Sequence, residues 1–361
     1  MAPSNQASVA ALPDINNILL PLAIIGFLLQ WGTMLVQGSL IQYIIVAWQG
    51  YFPSGTPVKN VWTGILPLDL PLDILITFFQ SLLNLAENPR LEGYLLLVDL
   101  LFALAVPGVL VVAEDRRNRK TGPLRYPAFW QMLWSFFGVA STVSTYTRLY
   151  IRHRLPNSPS IPSEQAQALP FTAVLQVLVV PVVVAPYILG ANLTQLAYCI
   201  VAYFMSPLIA GPIHDMLSGL IARTGKIFRS PAVLSYYIVG ISSAVVHWAV
   251  VLFTLLSPEL SLFTIYVPNP SLVQRGSPTQ IAESGHHFIQ YGYLFFNITA
   301  LILGRYVFTL DKAVAQKAHG NHPLLTLGTI TAIGGPGAGM AWILIKREKE
   351  TLAIQDPTKE S

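Results

Sequence analysis

Long apolar runs recur from one end of the chain to the other, and the polar connections between them are short. A helix needs about 20 mostly apolar residues to cross hydrocarbon. Stretches such as 173–189, 232–256 and 324–345 reach that length. The pattern places membrane segments at roughly 15–37, 67–86, 94–113, 127–150, 170–190, 193–213, 232–256, 287–308 and 323–345. The segment at 67–86 is rich in proline and carries two carboxylates, so the expected number is eight or nine. Helices satisfy every backbone amide internally, which lipid demands. The runs are also far longer than the roughly 10-residue strands of an outer-membrane barrel. The expected fold is therefore an all-α, polytopic transmembrane bundle.

Composition agrees. Of 361 residues, 53% are hydrophobic and 11% charged, against about 25% charged in soluble domains. No stretch is long enough for a separate soluble domain. The expectation is one integral membrane domain over 1–361, ending in a polar tail at 346–361. The net charge is +4, and the charged residues fall largely in loops and the tail. It fits membrane topology rather than nucleic-acid binding, which needs a basic stripe with readable motifs. The first 17 residues lack Lys and Arg, so they do not form the basic region of a cleaved signal peptide. Cys199 stands alone, which excludes an intrachain disulfide framework and a Cys-rich metal site.

Arg116, Arg117, Arg119, Lys120 and Arg125 make 114–125 the strongest orientation signal and place it on the cytoplasmic side. Six segments separate this loop from the tail, which puts the tail there too. Arg223, Lys226 and Arg229 then fall on the opposite side, against the rule. The pair 170–190 and 193–213 is the expected place for a miscount. Prolines 181, 186, 207 and 212 and Gly211 interrupt the spans. Such kinks can open a cavity between helices.

Four polar side chains stand out. Asp69 and Asp73 have a spacing that puts both carboxylates on one helix face. Close carboxylates in a low dielectric hold protons more tightly, so one could act as a general acid. The other reading is that they begin a helix at the membrane surface, where Asp favours the helix dipole. Asp99 lies within a span, where a carboxylate is costly unless neutral, paired or wet. It serves either chemistry or an interhelical hydrogen bond. His247 is mid-span and reads first as a buried structural histidine. Glu92 reads as an interfacial anchor, and His214–Asp215 and His286–His287 as interfacial groups able to move a proton. Trp31, Trp134 and Trp248 are deep enough to face inward, where ring faces attract cations. No HExxH, P-loop, nucleotide fingerprint or GxSxG is present. Magnesium-binding DDxxD or NDxxxD clusters are also missing, which argues against diphosphate ionisation. Neither metal nor organic cofactor is expected. Of the two glycosylation sequons, Asn192 and Asn297, the second lies in a span.

The Asp69/Asp73 pair, the acidic residue in the next span and the late HHFIQYGYLFFN segment resemble the integral-membrane terpene cyclases of fungal meroterpenoid pathways, such as those closing ascochlorin- and ascofuranone-type products. Where related proteins often carry an acidic residue in that late segment, this chain has Gly292. The resemblance implies a lipophilic, farnesylated aromatic substrate bearing a terminal epoxide. It further implies a carboxylic acid (Asp99 or Asp73, with Asp69 as partner), a late base at His247, aromatic stabilisation of a cation, and an endoplasmic reticulum membrane. Two other classes use the same features: a transporter for a lipophilic metabolite and a sterol-type double-bond isomerase.

Overall fold

The computed structural model describes residues 14–87, 90–117, 122–155, 159–225, 227–310 and 322–355. Among these, the chain forms helices and no strand; Tyr51 and Pro57 make an isolated bridge. The helices are α1 (Asn16–Gln37), α2 (Ser39–Gln49), α3 (Leu66–Leu83), α4 (Leu91–Arg117), α5 (Pro127–Phe137), α6 (Val139–Arg154), α7 (Ser163–Val184), α8 (Leu193–Thr224), α9 (Pro231–Leu256), α10 (Leu262–Tyr266), α11 (Gln280–Leu310) and α12 (Pro323–Gln355). Eight of them (α1, α3, α4, α7, α8, α9, α11 and α12) are long and apolar enough to cross a membrane. The chain is a helical membrane protein.

The segment at 127–150 is not one crossing helix. Gly138 adopts φ 89° and ψ 152°, which L side chains avoid. The rings of Trp130 and Tyr146 then lie 5.2 Å apart, where a continuous helix would separate them by about 24 Å. Thus α5 and α6 form a hairpin that enters the bundle and returns. A second reversal lies inside α12. Gly335 has φ 80° and ψ 168°, and Pro336 begins the returning arm. Leu327 and Ile343, about 24 Å apart in a straight helix, both pack against Gly304. The run Gly334-Gly335-Pro336-Gly337-Ala338-Gly339 lets the two arms touch, with Thr331 filling the space beside Gly339.

These reversals resolve the charge conflict. Because 127–150 turns back, Ile227–Arg229 come to the same end of the bundle as the last turn of α4. Arg116 Nη2 lies 3.2 Å from Asp215 Oδ1, and Gln167 bridges the backbone of Ile227 and Phe228. The miscount was at 127–150; the expected site, 170–190 with 193–213, holds two separate helices. Arg119, Lys120 and Lys226 lie outside the described residues.

That end is closed by a buried ionic network. Arg116 and Arg117 belong to the last turn of α4 rather than to an exposed loop. Glu114 faces Arg117 Nε at 3.0 Å, Arg154 Nε at 3.3 Å and Arg347 Nη1 at 3.5 Å. Arg117 also pairs with Glu348, and Arg347 with the Tyr150 hydroxyl. The expected polar tail therefore begins as helix: α12 continues to Gln355, and residues 356–361 lie outside the described part. Removing one partner of such a buried pair costs about 3–5 kcal/mol.

The central helix is α4, which packs against α7, α9, α11 and α12. Two outcomes test this architecture. Single cysteines at Gly122 and Arg229, in a Cys199→Ser background, react with an impermeant thiol reagent from the same side of sealed microsomes, and one at Gly276 from the other. Gly138→Ala lowers thermal stability more than Gly276→Ala. Both glycines have positive φ, but an added Cβ meets Gln30 and Phe288 only at Gly138, and overpacking adds about 1–3 kcal/mol.

Candidate functional site

Each reversal brings its tip to a polar feature inside the bundle. The tip of α12 reaches Asp99. This carboxylate lies on α4 and is fully buried. Its Oδ2 is 2.7 Å from His247 Nδ1 on α9 and accepts the Tyr266 hydroxyl of α10 at 2.8 Å. The Tyr293 hydroxyl of α11 lies 3.1 Å from the same histidine nitrogen. With Nδ1–H donating to the carboxylate, His247 keeps Nε2 for a second partner. Asp99 Oδ1 is buried with no hydrogen-bond partner among the described protein atoms. A Cβ on Gly335 would come within 3.1 Å of the His247 ring and 3.3 Å of the Tyr293 hydroxyl. The glycine at the tip therefore lets the reversed backbone approach the pair. Burial first, and the Asp99 charge next, push the Tyr266 hydroxyl well above its ordinary pKa, so it remains a donor.

The short helix α10 is held over this cluster from α11. Gln290 Nε2 donates to the carbonyls of Thr264, Ile265 and Val267, at 2.7, 3.1 and 3.0 Å. His286 Nε2 lies 3.2 Å from the Ile265 carbonyl. His286, Gln290 and Tyr293 share one face of α11 by their spacing. Beside α10, a cleft of about 640 Å³ opens between Leu91, Glu92, Pro258, Leu260, Thr264 and Leu272. Glu92 is buried two turns from Asp99 on the same face of α4.

The tip of the α5–α6 hairpin reaches a second feature, a chain of three small cavities of about 70, 50 and 20 Å³. They share Phe78, Trp134, Ser135, Tyr203 and Phe288 in overlapping sets. A π-helical turn at Leu28–Gly32 aims two side chains of α1 at this region; such turns re-register a helix and recur at functional sites. Gln30 Nε2 donates to the Phe288 carbonyl at 3.0 Å, and Trp31 Nε1 to the Phe137 carbonyl at 2.8 Å. The linings of these cavities contain no charged side chain.

The sequence-expected residues divide between places. Asp99 and His247 meet. Trp31 and Trp134 line the aromatic cavities. These two groups lie on opposite sides of α4: Leu97, Leu101 and Leu104 face the cavities, and Asp99 points about 200° away from Leu97. Trp248 does not face inward. It follows the buried His247 by one residue, about 100° around α9, and is 44% exposed. Asp69 and Asp73 are buried together on one face of α3, but Pro71, Ile74, Leu75 and Phe78 are the residues that line the cavity. Asp69 anchors the preceding loop. It accepts from the backbone of Trp62, Thr63 and Gly64 at 3.2, 2.9 and 2.9 Å, and from the Thr63 hydroxyl at 2.7 Å. Asp73 accepts from Trp62 Nε1 at 2.9 Å. At the ionic end, His214 sits between Thr172 and Gln165, at 2.7 and 3.0 Å. His287 packs its ring on Tyr291. No cluster suited to a metal occurs among the described residues.

Residues 15–352 match the CtvD-domain family. The chain belongs to this family. Two fungal relatives align with most of its length. A protein named terpene cyclase DEP1 from Alternaria brassicicola is 27% identical over 333 residues, covering 82% of this chain and 88% of the relative. One of the same name from Fusarium langsethiae is 24% identical over 362 residues, covering 91% and 97%. No solved structure matches. The CtvD match ends near the close of α12, so it takes in both reversals.

Tyr266 and Tyr293 were not singled out from sequence. The i, i+4, i+7 spacing of His286, Gln290 and Tyr293 was a usable signal, whereas Tyr266 lies in a polar connection without a pattern. The anchoring role assigned to Asp69 has a direct check. Asp69→Ala frees the 62–64 loop, and limited trypsin digestion then cuts after Lys59 several times faster than in the parent protein. An unchanged rate places the loop's restraint elsewhere.

Proposed function

We propose that this CtvD-family protein is a membrane-bound terpene cyclase, and that Asp99 with His247 is its proton-handling pair. The names of the two fungal relatives, which align over most of the chain, support the class of reaction. The observation that carries the site is the unpartnered Asp99 Oδ1, next to an Oδ2 that already holds His247 and Tyr266. A buried carboxylate so arranged has one oxygen fixed by donors and the other able to carry a proton toward a substrate.

The substrate proposed is a farnesylated aromatic with a terminal epoxide, taken from an internal membrane such as the endoplasmic reticulum. Asp99 gives its proton to the epoxide oxygen. One C–O bond breaks, leaving a hydroxyl and a carbocation. A nearby alkene attacks the cation and forms the first ring carbon–carbon bond. Loss of a proton to His247 ends the sequence, and the pair returns that proton to Asp99. Atoms are conserved throughout, so the reaction is an isomerisation and consumes no co-reactant. Tyr266 and Tyr293 place ring faces beside the acid, where their quadrupoles favour the cationic stages. Exclusion of bulk water from the buried pair keeps the cation from being trapped as a diol.

Microsomes carrying Asp99→Asn or His247→Gln convert the epoxide at least about a hundredfold more slowly than the parent, the usual scale for losing a positioned acid or base. Asp73→Asn keeps most of the activity, because an asparagine oxygen still accepts from Trp62. Full activity in Asp99→Asn removes the assignment. Uptake of unaltered substrate into sealed vesicles, with no ring formed, replaces cyclisation by transport.

A further inference from the structure

The helix α10 has little of its own to keep it in place. An isolated helix needs about 12–15 residues to persist in water, and α10 has five. Ser261 at its start makes no side-chain cap, Val267 at its end is already extended, and Ile265 is its one buried side chain. Two backbone bonds brace the turn: Ile265 N–H to the Ser261 carbonyl at 3.0 Å and Val267 N–H to the Phe263 carbonyl at 2.9 Å. On one side Thr264 lines the open cleft and Phe263 is exposed. The hold comes from the other side, from α11. The last carbonyls of a helix lack partners within it, and the buried amide of Gln290 supplies them for Thr264, Ile265 and Val267. Its two N–H bonds are both taken up by these three oxygens. The adjoining side chain, Tyr266, is the one that donates to Asp99 Oδ2.

We infer that Gln290 is a positioning residue for the Asp99–His247 pair: by holding the carbonyls of α10 it fixes the Tyr266 hydroxyl on Asp99 Oδ2, and so decides which carboxyl oxygen is left free. The terminal torsion of an aspartate is broad and two-fold. With His247 as its one remaining partner, the Asp99 carboxyl can turn and exchange its oxygens. With Tyr266 as a second donor to the same oxygen, the turn costs a hydrogen bond, and Oδ1 stays unpartnered. Two features single out Gln290. Tyr293 stands one turn further along α11 on the same face, with its hydroxyl 3.1 Å from His247 Nδ1. One rigid helix therefore reaches the pair twice, directly through Tyr293 and by way of α10 through Gln290. His286, one turn the other way, offers a single ring N–H to one carbonyl, that of Ile265, at 3.2 Å. It cannot stand in for an amide that serves three. The consequence for turnover rests on the cyclase reading; the hold on α10 and the fixing of Asp99 do not.

Two readouts on the full-length protein in detergent need no substrate. Gln290→Met keeps the length of the side chain and removes its donors. Backbone amides of 262–267 then exchange with deuterium at least about tenfold faster, the scale of one lost hydrogen bond, while those around Asp99 in α4 keep their rate. The carboxyl band of Asp99 is isolated as the infrared difference between each protein and its Asp99→Asn counterpart. Gln290→Met moves that band in the same direction as Tyr266→Phe, because both take the same donor from Oδ2. The third readout is turnover of the farnesylated aromatic epoxide. Gln290→Met lowers kcat about tenfold with KM within about twofold of the parent, and Tyr266→Phe does the same. The double variant is no slower than about the worse single one, as for two residues that act as a unit. An Asp99 band at the parental position in Gln290→Met overturns the inference. So does parental exchange in α10, or a double variant slowed about a hundredfold, which makes the two residues independent. Should Gln290→Met fail to accumulate, Gln290→Asn withdraws the amide by one methylene; it shows the same band shift, or overturns the inference by lacking it. Faster exchange and a shifted band in a protein that forms no ring uphold the role of Gln290 and count against the cyclase reading alone.

Discussion

Everything here depends on the demand that hydrocarbon makes of a polypeptide backbone. Each amide and carbonyl at membrane depth must find a partner within the protein. A chain that turns around inside the bilayer breaks its own ladder, so the turn survives only where other helices enclose it. Gly138 and Gly335 are such turns, and both tips are enclosed. Their backbone needs residues without a Cβ, because Gln30 and Phe288 crowd one tip and His247 and Tyr293 the other. The same crowding brings polar side chains against irregular backbone deep in the bundle. Sites in membrane proteins tend to form at such breaks.

That origin explains what could be read from the chain and what could not. Apolar length is a local property, so eight segments were visible, and their ends differ from the helices by a few residues to about ten. Reversal is not local. The stretch around Gly138 has the length and composition of a crossing, and so does the glycine-rich stretch around Gly335. The only trace of the first reversal was indirect: the basic residues near Arg223 fell on the wrong side unless one segment failed to cross. Asp99 and His247 were each visible as costly residues in a span, but their 2.7 Å contact joins positions 148 residues apart. The Asp69/Asp73 spacing correctly put both on one face. The residues of that helix that line the cavity, Pro71, Ile74, Leu75 and Phe78, lie on its opposite face.

The buried ionic network supplies the rigidity that such turns require. Both arms that return from the reversals end in it: Arg154 closes α6, and Arg347 and Glu348 lie near the end of α12. Glu114 ties them to α4. A hairpin held only by its tip could slide along its neighbour. One whose returning arm is fixed by a desolvated ion pair cannot, because breaking that pair strands a charge in a low dielectric. Energy invested about half the bundle away thus keeps Gly335 against His247.

The helix α4 separates two kinds of interior. On one face of α4, Asp99 gathers His247 and two tyrosine hydroxyls into a buried polar cluster. The small cavities on the other face are lined by rings and amides, without a charged side chain. One helix thereby divides a buried polar cluster from uncharged aromatic cavities. That helix can be buried on both faces because it lies at the centre of the bundle.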